Sequence, residues 1–360
     1  MNENRFIAVT VGLIAAIAMA AVFYIARNVV LPIVIAIILV FVLEPLVRLL
    51  TKIRIPRPVS VLLVILIIFG IIFLIGLFFI NSVQSFVEEY SNYITKFQEI
   101  FTEVNTKYLS RLNIPNDFVQ NIDWADTLKQ TIVSWSGSFF RFFSILLVII
   151  LFLFFLFRET PLFQRKVKNA FPPHSSRRVG IVLEHITRQI SRYLGIKTMI
   201  SAATGVLIYI TLTIIGMDFA LIWAAVAFFF NYIPTFGSLV SAALTILVGI
   251  IQFYPSLGAI IAVAVSVIVI QVTLGNLIDP LLQGEQLNLS PVVILFSLLL
   301  WGWLWGVAGA FLAVPIVATV RIVCMNIPSL KPVGVLMGGG YKSIQRRRRQ
   351  KKHNAPGSHT

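Results

Sequence analysis

Asp279 and Glu285 are carboxylates in the stretch Asn276 to Pro291, NLIDPLLQGEQLNLSP, where Asn276 adds an amide and Pro280, Gly284 and Pro291 interrupt the backbone. Acid, amide and freed backbone groups could together hold a cation, exchange a proton or hydrogen-bond a polar solute. The setting gives that chemistry its meaning. Apolar residues run from Leu257 to Leu274 before it and from Pro291 to Val320 after it, the latter carrying Trp301, Trp303, Trp305 and Pro315. A polar, broken element at membrane depth must be buried in protein or face a water-filled cavity, because hydrocarbon cannot satisfy its backbone groups. Transport chemistry fits such a place.

Asp279 has two readings. Below the interface an ionisable acid costs roughly 2.5 to 3.5 kcal/mol on insertion scales and is kept for an ion, proton or substrate contact. Alternatively, Pro280 and Gly284 mark a solvated connector in which Asp279 caps the following turn. Glu285 divides in the same way between the path and the connector's water. A second break, Asn231-Tyr232-Ile233-Pro234-Thr235-Phe236-Gly237, splits another apolar run. Groups freed at Pro234 and Gly237 could bind an ion or polar solute, as in discontinuous transporter helices, or the break is a packing kink. Asn231 and Asn276 could meet a solute hydroxyl or bond across helices. Gln252 and Gln271 read as ordinary interface or interhelical donors, and Asp218 as part of a surface turn. Gly205, Gly302, Gly306 and Gly309 permit close helix approach.

The composition confines these residues to a bilayer. Of 360 residues 58% are hydrophobic and 12% charged, against about 25% charged in soluble domains. The net charge of +15 lies between apolar runs and at the C-terminus, a pattern of membrane topology that speaks against a nucleic-acid partner. Cys324 is the single cysteine, which excludes an intrachain disulfide and a cysteine-rich metal site. His174, His185, His353 and His359 lie outside the apolar runs with no zinc-binding spacing, and there is no HExxH or phosphate loop. An intramembrane serine protease would need a histidine on a span. The expectation is no enzyme, no metal and no cofactor, with any active transport drawing on an ion gradient.

The elements that must position the site follow from lengths of roughly 20 apolar residues per span. Residues 1–80 give three spans: Phe6 to Ala26, Val29 to about Leu50 with Pro32 and Pro45, and Val59 to Ile80. The first is too long for a signal core and is read as retained. The basic loop bearing Lys52, Arg54 and Arg57 is placed in the cytoplasm. Residues 81–138 form a net acidic insertion, expected outside, whose Val83, Val87, Tyr90, Ile94, Phe97, Phe101, Val104 and Tyr108 make a helical stripe. That stripe suits either a subunit contact or packing within one chain. A break near Ile114-Pro115-Asn116 and a second helix from Asp117 through Trp135 are predicted. Residues 139–157 form a fourth span.

Residues 158–196 are strongly basic and cytoplasmic by the same bias. A helix capped at Thr160-Pro161 ends at Phe171-Pro172-Pro173; the next carries Val179, Leu183, Ile186, Ile190 and Tyr193 on one face, suited to the membrane surface or to packing on the protein. Residues 197–326 hold the C-terminal core. Residues 327–360 are a basic tail, disordered by composition. The interrupted runs Phe219 to Ile251 and Pro291 to Cys324 leave the count at eight spans, or ten if each crosses twice. The fold expected is all-α, polytopic and transmembrane, with broken or re-entrant helices and a helical extracytoplasmic insertion.

Tyr193 to Ser238, YLGIKTMISAATGVLIYITLTIIGMDFALIWAAVAFFFNYIPTFGS, resembles the core of the autoinducer-2 exporter (AI-2E) family of bacterial permeases. So does Asn276 to Ile316, NLIDPLLQGEQLNLSPVVILFSLLLWGWLWGVAGAFLAVPI, and Leu31 to Leu50 matches the family's N-terminal pattern. The resemblance implies a multi-pass protein of the bacterial inner membrane, with about eight helices, an insertion after the third and a homo-oligomeric assembly. Family members include exporters of a small quorum-sensing signal and others linked to sodium/proton exchange; many have no known substrate.

Taken together, the residues predict a secondary transporter or exporter of a small polar or amphipathic solute, driven by a proton or sodium gradient, with both termini cytoplasmic. Asp279, Asn276, Asn231 and Glu285 are its candidate coupling residues, and Pro234, Gly237, Pro280, Gly284 and Pro291 shape the path. The competing readings are a non-transporting membrane scaffold and a channel.

Overall fold

A computed structural model describes residues 3–108, 144–159, 166, 169–170, 172–234, 236–283 and 287–339. Among these residues the chain is helical, apart from one antiparallel bridge between Leu289 and Gly338. The helices are α1 (Glu3–Ile25), α2 (Arg27–Lys52), α3 (Arg57–Tyr108), α4 (144–159), α5 (Pro173–Ile215), α6 (Ala220–Phe230), α7 (Phe236–Phe253) and α8 (Leu257–Gln271). A π-helical turn (Val272–Ile278) leads into α9 (Asp279–Gln283), and α10 (Pro291–Asn326) and α11 (Lys331–Leu336) close the described chain. Among the described residues six helices are long and apolar enough to cross a membrane, with Thr10–Ile25 and Ala220–Phe230 as shorter apolar helices. The protein is an all-α, multi-pass membrane protein.

Two expected boundaries fall inside continuous helices. α3 runs through Ile80 to Tyr108, so the third span and the first insertion helix are one element. α5 likewise joins the basic amphipathic segment to the fifth span, because residues 194–198 contain neither Pro nor a capping pattern that would stop it. The break at residues 114–116, the helix from Asp117 through Trp135, the cap at Thr160-Pro161, Gly284, Glu285 and the basic tail from residue 340 lie outside the described residues.

The chain forms two compact units. The first comprises Met1–Leu49, Leu151–Leu194 and Glu285–Thr360. Its core sets Ile186, Ile190, Tyr193 and Leu194 of α5 against Val314, Ala318 and Ile322 of α10, with Ile38, Phe41 and Val42 of α2 beside them. The amphipathic face of α5 is thus packed on protein.

α10 is a hairpin. Gly306 takes φ 66° and ψ −147°, outside any helix, and the two limbs fold together so that Ser297 Oγ donates to Ala313 O at 3.0 Å. A Cβ on Gly309 would lie 1.9 Å from Trp301 O, so only glycine allows this return. At the tip Trp305 Nε1 donates to Phe23 O at 3.1 Å. At the open end Ser290 N donates to Met337 O and Gly339 N to Asn288 O, tying both limbs' flanks together.

The second unit comprises Leu50–Ile150 and Gly195–Gly284. Its apolar core gathers Ile208 and Leu212 of α5, Ala220, Ala224 and Ala227 of α6, and Val263 and Val267 of α8.

Candidate functional site

The second unit contains its own hairpin. α6 has 11 residues, so it is about 16 Å long, roughly half of a 30 Å hydrocarbon core. At its tip Gly237 approaches Phe230 so closely that a Cβ would lie 1.7 Å from the Phe230 carbonyl oxygen. α7 then returns to the end from which α6 started. There Gln252 Nε2 donates to Gly216 O at 3.1 Å, and Gln252 Oε1 accepts from Asp218 N at 3.0 Å. Tyr93 of α3 donates to Asp218 Oδ2 at 2.7 Å, and Lys96 Nζ donates to Gln252 O at 3.3 Å. Asp218 is therefore half-buried in a polar clip rather than bare on the surface, and this part of α3 packs within its own chain.

The hairpin tip is held at the middle of α5. Asn231 is buried and its Nδ2 donates to Ser201 Oγ at 3.2 Å; Tyr232 Oη donates to Thr198 Oγ1 at 2.8 Å. One turn beyond lies the charged centre of the unit. Lys197 Nζ donates to Asp279 Oδ2 at 2.7 Å, the side chains being 4% and 14% exposed. Asp279 also accepts at Oδ1 from Gln283 Nε2. Both carboxylate oxygens are thus engaged, one by a full positive charge.

Asp279 opens α9 immediately after the π-helical turn, and its N–H bonds back to Leu274 O. A π turn holds one more residue than an α turn, and such turns recur at functional sites. Asn276 is exposed on that turn, Pro280 is the exposed second residue of α9, and Pro291 begins α10. Pro234 sits half-buried in the connector between α6 and α7. The structure therefore groups Asp279 and Asn231 around the middle of α5, through Lys197 and Ser201, and leaves Asn276 outside that group.

Lys197 is the residue that composition hides. It counts as one more base in a basic segment, yet it continues the buried face of α5 as Ile186, Ile190, Tyr193, Lys197, Ser201, Thr204 and Ile208, at spacings of four and three. That periodicity, carried across residue 196, is the signal that locates it.

Comparison with known proteins decides the family. The AI-2E family transporter model matches residues 13–329. The chain belongs to the AI-2E transporter family. A relative in Borreliella burgdorferi, named only as a candidate transport protein, is 32% identical over 318 residues, covering 88% of this chain and 86% of its own. A similarly named protein of Haemophilus influenzae is 28% identical over 340 residues, 91% and 95% of the two chains. The AI-2 transport protein TqsA of Escherichia coli (strain K12) is 26% identical over 325 residues, 87% and 90%. Membership makes this multi-pass protein a membrane permease, as the broken apolar runs led one to expect.

Proposed function

We propose that this AI-2E family member is a secondary transporter that exports a small polar or amphipathic solute, with the Lys197–Asp279 pair as its coupling element. The observation that carries the reading is the pair itself: a lysine and an aspartate in 2.7 Å contact, nearly withdrawn from solvent, between a helix-hairpin tip and a π-helical turn. Ionisable residues within spans are costly and are kept for ions, protons or substrates. A proton or sodium ion arriving at Asp279 weakens its hold on Lys197. The ammonium then loses its counter-charge, and the helices bearing the two residues gain a reason to part. A gradient of either ion could drive a cycle through that step, with Asn231 and the breaks at Pro234 and Gly237 shaping the path.

The name of TqsA supports a quorum-signal-like cargo, and the family resemblance supports a homo-oligomer in a bacterial inner membrane, with both termini cytoplasmic. The test is untargeted mass spectrometry of medium and cytosol from bacteria with no copy, wild-type protein or Asp279→Asn at matched membrane abundance. A compound exported only by wild type, and retained when the ion gradients are collapsed, is expected. No difference among the strains would overturn the reading in favour of a scaffold.

A further inference from the structure

The buried face of α7 is Gly237, Ser241, Thr245 and Gly249. α8 meets it closely: a Cβ on Gly249 would be 2.9 Å from Val263 Cγ1. Two turns along α8 from Val263, Gln271 is 7% exposed, and its Nε2 donates to Ser241 Oγ at 3.0 Å. Ser241 in turn donates its proton to Ser238 O at 3.1 Å. Gln271 Oε1 is buried and has no hydrogen-bond partner. A buried carbonyl left unsatisfied forfeits its hydration without return, so native proteins keep few of them and each asks for an explanation. This one stands at the first edge of the π-helical turn whose far edge is Asp279.

We infer that Gln271 Oε1 is a binding position for a hydroxyl group of an uncharged, polyol-like solute, reached when the seam between α7 and α8 parts. The inference rests on the transport reading above and names the chemical class of its cargo. A lone neutral acceptor rewards a hydrogen-bond donor. It offers nothing to a carboxylate or phosphate, which brings only acceptors. A hard cation takes about six or more oxygens, and Ser241 has already committed its hydroxyl to Gln271 and Ser238. The Nε2 bond to Ser241 Oγ orients the amide.

The test uses the full chain in proteoliposomes preloaded with unlabelled glycerol, erythritol or ribitol, following counterflow of the labelled polyol. Counterflow needs no ion gradient, so it reads binding and exchange apart from coupling. Wild type is expected to exchange at least one of the three. Gln271→Met, which keeps the length and removes the acceptor, should raise the half-saturating concentration about tenfold, whereas Gln271→Asn should retain part of the affinity. Unfolding temperatures of the variants show whether they fold.

Equal constants for wild type and Gln271→Met would overturn the inference. So would a rise in wild-type unfolding temperature with sodium that vanishes in Gln271→Met. If none of the polyols exchanges while bacteria still export a compound dependent on the wild-type chain, the polyol site is wrong and the transport reading stands. If neither occurs, both fall.

Discussion

Lys197 and Asp279 stand 82 positions apart in sequence, yet their charges meet at 2.7 Å in a site that solvent barely reaches. Removing one partner of a buried pair strands the other charge and costs about 3 to 5 kcal/mol, whereas replacing both by apolar residues is often neutral. Lys197→Met alone should therefore lower stability markedly, and Lys197→Met with Asp279→Leu should recover most of it while remaining unable to export. Thermal unfolding of the purified variants, paired with the export assay, checks this. A double variant as unstable as the single one would mean that the two charges do not compensate each other.

Gly237 and Gly309 occupy matching places, each just past a break and each with a carbonyl oxygen where a side chain would begin. Alanine at either position puts a carbon 1.7 or 1.9 Å from Phe230 O or Trp301 O, a collision that only backbone movement relieves. Each alanine variant should lose about 3 kcal/mol or more, or fail to accumulate in the membrane. Gly70→Ala is the control, because nothing lies within 4 Å of its added carbon on α3. Helix propensity there favours alanine by up to about 1 kcal/mol. Melting temperatures that rank these variants otherwise would discredit the hairpin tips.

The fold of α10 can be tested by cross-linking. A Cβ on Gly302 lies 3.9 Å from Ala310 Cβ, within the 3.5 to 4.5 Å that a disulfide needs. In a straight helix the same residues would be about 12 Å apart. Gly302→Cys with Ala310→Cys, in a Cys324→Ala background, should oxidise to a bridge that mass spectrometry detects between their peptides. Two free thiols after oxidation would argue for an unbroken helix.

Gln252 works as a splint across the turn between α5 and α6, accepting from Asp218 N and donating to Gly216 O. Gln252→Leu removes both bonds, for a loss of about 1 to 3 kcal/mol. Faster hydrogen exchange confined to residues 216–219 and to the neighbouring end of α7 is the expected signature; unchanged exchange there would show that the turn holds itself.

The spans were legible because the bilayer enforces a length and a composition that few other structures share. The breaks at Pro234 and Gly306 were legible too, since Pro and Gly interrupt long apolar runs. How closely the two limbs of each return on one another was not, because it depends on what Gly237 and Gly309 meet in space. Asp279 stood out by its charge beside apolar runs, but its partner lay far away in sequence among bases that a count treats alike. Charge counting assigns a side of the membrane, and it carries no depth. For Gln271 the amide itself could be read, but which of its atoms lacks a partner is a property of packing alone.

The 52 residues of α3 form a rod about 78 Å long, more than twice the thickness of a hydrocarbon core. Tyr93 and Lys96 fasten it to the Asp218 end of the hairpin, well short of its far terminus. Such a rod is a lever with its fulcrum at the hairpin. Tilting it by about 10° about Tyr93 would carry Tyr108, about 22 Å beyond, through nearly 4 Å. Such a tilt would reach Tyr108 as a displacement that a spin label at that end of α3, paired with one on α7, could resolve.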